Sequence, residues 1–271
     1  MQLLAVLREA LQETRDVAVL AVLPIVVALL RWNDLVRLGT DTSRVFSISF
    51  PMPHSFVTLW SFVQPPTDAG GGIDPATLPA VVGVAFGAAF LLSLAAYVVA
   101  TGLLLAGYLG SIDQSIRTGR FDFVANVRRY ARSLVAYEAL MLVVLGAIVL
   151  LPLLTTAPFL FPVAFVGVYV VGYLTYLVPY LVVASEDDLL EAIRHSAGLT
   201  TSRADAALAF IGFAVPATAL SLPLSRLAYT DGMLTAVAAA AVVAPVGLVA
   251  AVFFVLVARR LAEGADRSTV T

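Results

Sequence analysis

Glu138 is the residue whose type and setting most invite chemistry. It is the sole charge in the 51 residues 134–184. A carboxylate inside an apolar span is costly unless it is paired, wetted or protonated, so it is a functional candidate by default. If the run folds back near Thr156, Glu138 comes to face residues near 174. There Tyr169, Tyr173, Tyr176 and Tyr180 follow at steps of four, three and four, which makes one stripe on a helix. A lipid-facing stripe would leave deep hydroxyls without partners. The stripe is therefore expected to face the bundle, with Tyr173 or Tyr176 donating a hydrogen bond to Glu138. Blander readings stay open. Glu138 lies six residues past Arg132, about 9 Å along a helix axis, within reach of headgroups. An aromatic belt accounts for Tyr180 and Tyr176.

Other chemistry is absent from the sequence. There is no Cys, no Walker loop, no zinc-binding pattern and no Gly-x-Ser-x-Gly turn. The two histidines, His54 and His195, are expected on opposite sides of a membrane, with His195 solvated on the polar side of a helix. No catalytic residue, cofactor or metal is expected, and the chain reads as a non-enzyme. The net charge of −2 and the lack of a basic tail exclude nucleic acid as a partner. Residues 111–133 carry Arg117, Arg120, Arg128, Arg129 and Arg132 against Asp113 and Asp122. These arginines suit anionic lipid headgroups. Membrane lipids are the expected partners, with a membrane-protein partner or a second copy of the chain beside them.

The elements that position these residues are set by composition. Of the 271 residues, 61% are hydrophobic and only 13% charged, and the mean hydropathy is +0.97. A soluble domain is near 45–50% apolar and about a quarter charged, so lipid must be the second solvent. A hydrocarbon core about 30 Å thick takes roughly 20 residues at 1.5 Å each. That measure gives an all-α transmembrane bundle in one domain, 1–271, with six spans near 15–32, 78–110, 134–154, 159–184, 206–222 and 233–258. The first reads as a retained span rather than a cleaved leader, with Pro24 near its middle. The second, without a charge, reads as one long tilted helix.

All 16 basic residues are Arg, which fits a GC-rich prokaryotic genome. With the N-terminus inside, twelve arginines fall in cytoplasmic pieces and four (Arg31, Arg37, Arg44, Arg226) outside. The bias places both termini in the cytoplasm of a cell-membrane protein.

Each odd-numbered span is preceded by an amphipathic stretch. Leu3, Leu4, Leu7 and Leu11 share one face; so do Phe123, Val127, Tyr130 and Leu134; so do Leu189, Leu190, Ile193 and Ala197. The spacing suits interfacial helices, the third opened by a capping box at Ser185 and Asp188. The layout is then three units of interfacial helix plus hairpin. The outer segment 33–77 alternates over 44–50 as a strand does. It then places Phe56, Leu59, Trp60 and Val63 on one helical face, and reads as a lid on the outer interface. Gly83 and Gly87 form a GxxxG pair suited to close helix contact. Pro24, Pro162, Pro216 and Pro245 kink spans or mark their ends.

Two junctions carry a resemblance. Tyr180-Leu-Val-Val-Ala-Ser-Glu-Asp-Asp-Leu-Leu-Glu191-Ala-Ile-Arg-His-Ser196-Ala-Gly-Leu-Thr200 resembles a pattern of six-span prokaryotic membrane families, among them the membrane domain attached to some glycerophosphodiester phosphodiesterases. Gly107-Tyr-Leu-Gly-Ser-Ile-Asp-Gln-Ser-Ile-Arg-Thr-Gly-Arg-Phe-Asp122 is similar to the earlier junction in uncharacterised archaeal families of that layout. The resemblance implies a helical membrane domain with interfacial helices. It does not imply phosphodiesterase activity, which belongs to a separate soluble barrel for which the chain has no room. The functional expectation is a membrane domain that organises lipid or a partner. The alternative is a small permease using Glu138 and the tyrosine stripe.

Overall fold

The structure is a computed structural model that describes residues 2–38, 47–53, 56–64, 80–155, 159–230 and 233–269. It is an all-α bundle, with no β-strand among the described residues. Four helices are long and single: α5 (Ala80–Thr118), α6 (Phe123–Thr155), α10 (Ala204–Thr230) and α11 (Met233–Thr269). The shorter ones are α1 (Leu3–Asp16), α2 (Val22–Leu29), α3 (Trp32–Leu38), α4 (Leu59–Phe62), α7 (Leu160–Thr175), α8 (Val178–Ala184) and α9 (Leu189–Ser202). Five stretches are long and apolar enough to cross a bilayer: Gly87–Thr118, Phe123–Pro152, Leu160–Ala184, Ala204–Tyr229 and Met233–Gly264. A sixth follows if Ala18–Leu29 and Trp32–Leu38, bent by 75°, count as one span. The α11 stretch is mostly buried while only about a fifth of each of the other four is, so α11 is the central helix.

The first span, expected over 15–32 with Pro24 near its middle, is broken by a 3-10 turn and bent by 75° further on. Pro24 has no N–H to donate back to Leu20, so one α-helical hydrogen bond is lost there and the helix begins only at Val22. A 3-10 turn, Ala18–Ala21, takes up the break. Pro179 has the same effect in the fourth span. It cannot donate to the Thr175 carbonyl, and the helix divides there into α7 and α8. The freed carbonyls find other donors, as a low-dielectric interior requires. Tyr137 donates to the Thr175 oxygen at 3.4 Å and Ser196 to the Leu174 oxygen at 2.7 Å.

The middle amphipathic stretch is not an interfacial helix. It is the first third of α6, and its apolar face packs on α5, with Tyr130 and Leu134 buried. Glycines make room for it. A Cβ at Gly107 would strike the Phe123 ring, one at Gly110 would lie 2.7 Å from Asn126 Cβ, and one at Gly102 2.7 Å from Val135 Cα. Within this chain nothing lies within 4 Å of a Cβ at Gly87, which leaves that glycine open to a contact between copies.

The other two amphipathic stretches are separate helices, α1 and α9. Leu4, Leu7 and Leu11 of α1 are exposed, while Val6 and Ala10 are buried and Glu9 pairs with Arg260 of α11. The α9 helix packs on α8, burying Ala192, Ser196 and Leu199. Its cap is Asp188 alone, which accepts from the Glu191 N–H at 2.9 Å. The Ser185 hydroxyl, expected to share the capping box, has no partner.

The largest departure is the segment expected as an outer lid. Its described part, 47–53 and 56–64, threads into the bundle. The Val57 carbonyl oxygen lies against Gly247, fourteen residues into α11, roughly 21 Å along the axis. Met52 fills the space beside Gly172 of α7. Ser47 and Ser49 donate their N–H groups to the hydroxyls of Ser225 and Ser221 on α10, at 3.0 and 3.1 Å, and the Ser225 hydroxyl donates back to the Ser47 oxygen at 2.8 Å. So 47–50 alternates in burial, as the sequence suggested, but it is not a strand and pairs with a helix through serines. The serines are buried, and Ile48 and Phe50 face outward. The start of that alternation, 44–46, lies outside the described residues. Non-helical backbone at membrane depth is tolerated only where protein or water surrounds it.

Candidate functional site

The threaded segment builds one wall of a polar cavity of about 170 Å³. Phe56, Thr58, Trp60 and Ser61 form that wall, Val27 and Arg31 close it from the first span, Tyr97 and Thr101 come from α5, and Glu138 comes from α6. Local chemistry holds each piece. The Thr58 and Ser61 side chains cap α4 reciprocally, with the Thr58 N–H donating to the Ser61 hydroxyl at 3.1 Å. The Trp60 indole N–H donates at 2.9 Å to the Ala28 carbonyl, in the last turn of α2. The Arg31 guanidinium lies 4.9 Å from the centre of the Trp60 ring and pairs with Asp34 at 2.7 Å. Thr101 turns its hydroxyl back to the Tyr97 oxygen at 2.8 Å.

Glu138 differs from these neighbours. Among the described residues its carboxylate makes no hydrogen bond and no ion pair. It lies fifteen residues into α6, roughly 22 Å along the axis, and so near the middle of a 33-residue helix. Its distance from Arg132 suggested a reach to the headgroups on the arginine-rich face. The residues that meet it in the cavity include Val27 and Arg31 of the first span and the threaded segment at 56–61. Because Asp34 already balances Arg31, the cavity carries about one uncompensated negative charge when Glu138 is ionised.

Of the tyrosine stripe, Tyr176 and Tyr180 are buried while Tyr169 and Tyr173 are only half-buried, and none of them meets Glu138. Tyr173 donates to the Thr200 oxygen at 2.7 Å, Tyr176 to the Ala206 oxygen at 2.8 Å and Tyr169 to the Phe50 oxygen at 3.4 Å. Each phenol has one proton, and each proton is committed elsewhere. The expected Glu138–tyrosine hydrogen bond is thus absent, the protons going instead to the Thr200 carbonyl in the last turn of α9 and the Ala206 carbonyl in the first turn of α10. Tyr176 and Tyr180 also pack on Phe254 of α11, with ring centres 5.7 and 5.5 Å away. The stripe is a docking surface for neighbouring helices. His195 is not simply solvated, since it lies 3.1 Å from Asp187; His54 is outside the described residues.

At the arginine-rich face, the two junctions quoted above meet each other. Arg117 donates to the Ala184 oxygen at 2.7 Å, and Arg129 pairs with Glu186 at 2.6 Å. Arg120, Arg128 and Arg132 are exposed there. Elsewhere an apolar groove of about 300 Å³ opens between α1, α10 and α11, lined by Leu4, Leu7, Leu208, Phe213, Leu220 and Phe253 among others.

The serines at 221 and 225 were readable as a polar pair four residues apart in an apolar helix, the one signal that α10 receives a backbone. The cavity's Arg31–Trp60 wall had no local signal.

The fold and its apolar helices define an integral, polytopic helical membrane protein. Comparison with family models, curated proteins and solved structures finds no match for this chain.

Proposed function

We propose that this protein is a small, non-enzymatic permease whose solute is met by Glu138. The observation that carries the reading is a carboxylate without a counter-ion, half-way along α6, at the wall of a mostly polar cavity. Polar groups at such depth are expensive and mark solute or ion paths. A threaded non-helical segment beside them is the usual company of such a path. A volume of about 170 Å³ holds about five waters at ~30 Å³ each, or one small solute. The excess negative charge favours a solute bringing a positive charge or several hydrogen-bond donors. The arginine bias supports termini in the cytoplasm and a cavity facing outward.

The apolar groove favours a second reading, a domain that organises lipid or a partner. The two separate in a thermal-unfolding screen of the detergent-purified protein against small amines, amino acids and polyols. The permease reading expects at least one class to stabilise the protein, by about 2.7 kcal/mol at a hundredfold excess over Kd, and Glu138→Gln to abolish the effect. If no solute stabilises it, or if Glu138→Gln responds equally, the permease reading is wrong. The groove then becomes the better candidate, to be followed through co-purifying lipids.

A further inference from the structure

A second cavity, of about 270 Å³ and bordered largely by polar and charged residues, lies at the arginine-rich face. Asp113, Gln114 and Arg117 of α5, Asn126 and Arg129 of α6, and Glu186 of the α8–α9 loop line it. One carboxylate bridges two guanidinium groups here. Glu186 Oε2 lies 2.6 Å from Arg129 Nη2, and Glu186 Oε1 lies 3.9 Å from Arg117 Nη1. Arg117 is aimed by Asp113 at 2.7 Å and by the Ala184 oxygen at 2.7 Å. Arg129 is steadied against the Tyr130 ring, at 5.4 Å. Gln114 accepts from the Asn126 amide at 2.7 Å and the Asp122 N–H at 2.8 Å, fixing the hairpin that presents both arginines.

Two observations mark Glu186 as a replaceable occupant. It is the one non-glycine residue with positive φ among the described residues, at 61°, and such backbone is held against a cost that clusters at functional sites. Its side chain is 48% exposed and that of Arg129 56%, so the pair is of the weak, solvent-screened kind. With Arg259 Nε 3.8 Å from Asp113, the local charges are three positive against two negative. A guanidinium pair spaced around a carboxylate suits a phosphate better, which offers more oxygens and, as a monoester, more charge.

We propose that this cavity binds a phosphate group through Arg117 and Arg129, with Glu186 as a built-in competitor that the phosphate displaces. The phosphate comes either from an anionic lipid headgroup or from a soluble phosphate. The inference is independent of the solute path at Glu138.

The test uses the full chain in detergent, with two probes. One is phosphatidylglycerol against phosphatidylcholine, read by native mass spectrometry. The other is inorganic phosphate against chloride at matched ionic strength, read by thermal unfolding. Glu191→Gln controls for loss of one negative charge on the same face, since that exposed side chain takes no part in the cluster. In at least one arm the wild type binds the phosphate probe selectively. In that arm Arg129→Gln weakens binding at least tenfold, Glu186→Gln strengthens it at least threefold, and Glu191→Gln stays within twofold of wild type. Binding of phosphatidylglycerol alone assigns the lipid source, and binding of inorganic phosphate shows that the free anion suffices. The proposal is overturned if neither probe binds selectively, if Arg129→Gln binds like wild type, or if Glu186→Gln and Glu191→Gln behave alike.

Discussion

Replacing Gly247 by Ala tests whether the segment 47–64 truly enters the bundle. In a helix interior, Gly→Ala on its own stabilises by roughly 0.5–1 kcal/mol. At Gly247 the new methyl would clash with the Val57 carbonyl oxygen. That atom belongs to backbone pinned on one side by α4 and on the other by the serines of α10. Overpacking of this kind costs about 1–3 kcal/mol, so the variant should lose about 1–2 kcal/mol net. At roughly 2–4 °C per kcal/mol for chains of this size, the Tm in detergent should fall by about 3–6 °C. Gly87→Ala, with nothing within 4 Å, should hold or gain stability. Gly172→Ala should lie between them, because there the obstacle is the flexible Met52 side chain. Acrylamide quenching of Trp60 in a Trp32→Phe background gives a second reading, and it should rise in Gly247→Ala. A Gly247→Ala protein as stable as Gly87→Ala, with Trp60 no more accessible, would refute the threaded arrangement.

Three further substitutions probe its supports. Ser225→Ala removes both the acceptor for the Ser47 N–H and the donor to its carbonyl; it should cost about 1–3 kcal/mol and speed protease cleavage near residue 47. Tyr173→Phe loses only the bond to the Thr200 oxygen, so stability should fall by about 1 kcal/mol while any solute response at Glu138 is unchanged. A lost solute response would return the tyrosines to the site. Asp188→Ala removes the α9 cap and should cost about 1 kcal/mol, seen as a lower Tm and faster amide exchange over 189–192.

How much was legible in the sequence follows from which forces are local. Hydropathy and span length depend on composition alone, so the apolar helices, the single long α5 and the division of the third and fourth spans emerged without a structure. Glu138 stood out for the same reason, as a lone charge in an apolar run. Its partners did not, because side-chain partners depend on which elements pack together. Carbonyls of Thr200 in α9 and Ala206 in α10 take the Tyr173 and Tyr176 hydroxyls, and which carbonyls come near is decided in three dimensions. Segment 47–64 misled because Ser47 and Ser49 look like the wet side of a strand. They become buried only because Ser221 and Ser225 supply partners more than 170 residues away. The amphipathic stretch before the third span misled in a related way, since a face that suits lipid also suits the glycine-lined groove of α5.

The most direct test uses the absence of cysteine from the sequence. The Thr101→Cys variant carries one small thiol at the cavity wall, and the Ala106→Cys variant carries one in the buried core five residues further along α5. Both are exposed, in sealed vesicles of known orientation, to a membrane-impermeant thiol reagent applied to one face at a time. A cavity formed by the threaded segment and Glu138 predicts that the Thr101→Cys protein is labelled only from the face opposite the termini, faster by a cationic reagent than by an anionic one. The Ala106→Cys protein should stay unlabelled from both faces. Labelling of the Thr101→Cys protein from the terminal face, or none by a water-soluble reagent from either face, would contradict the account.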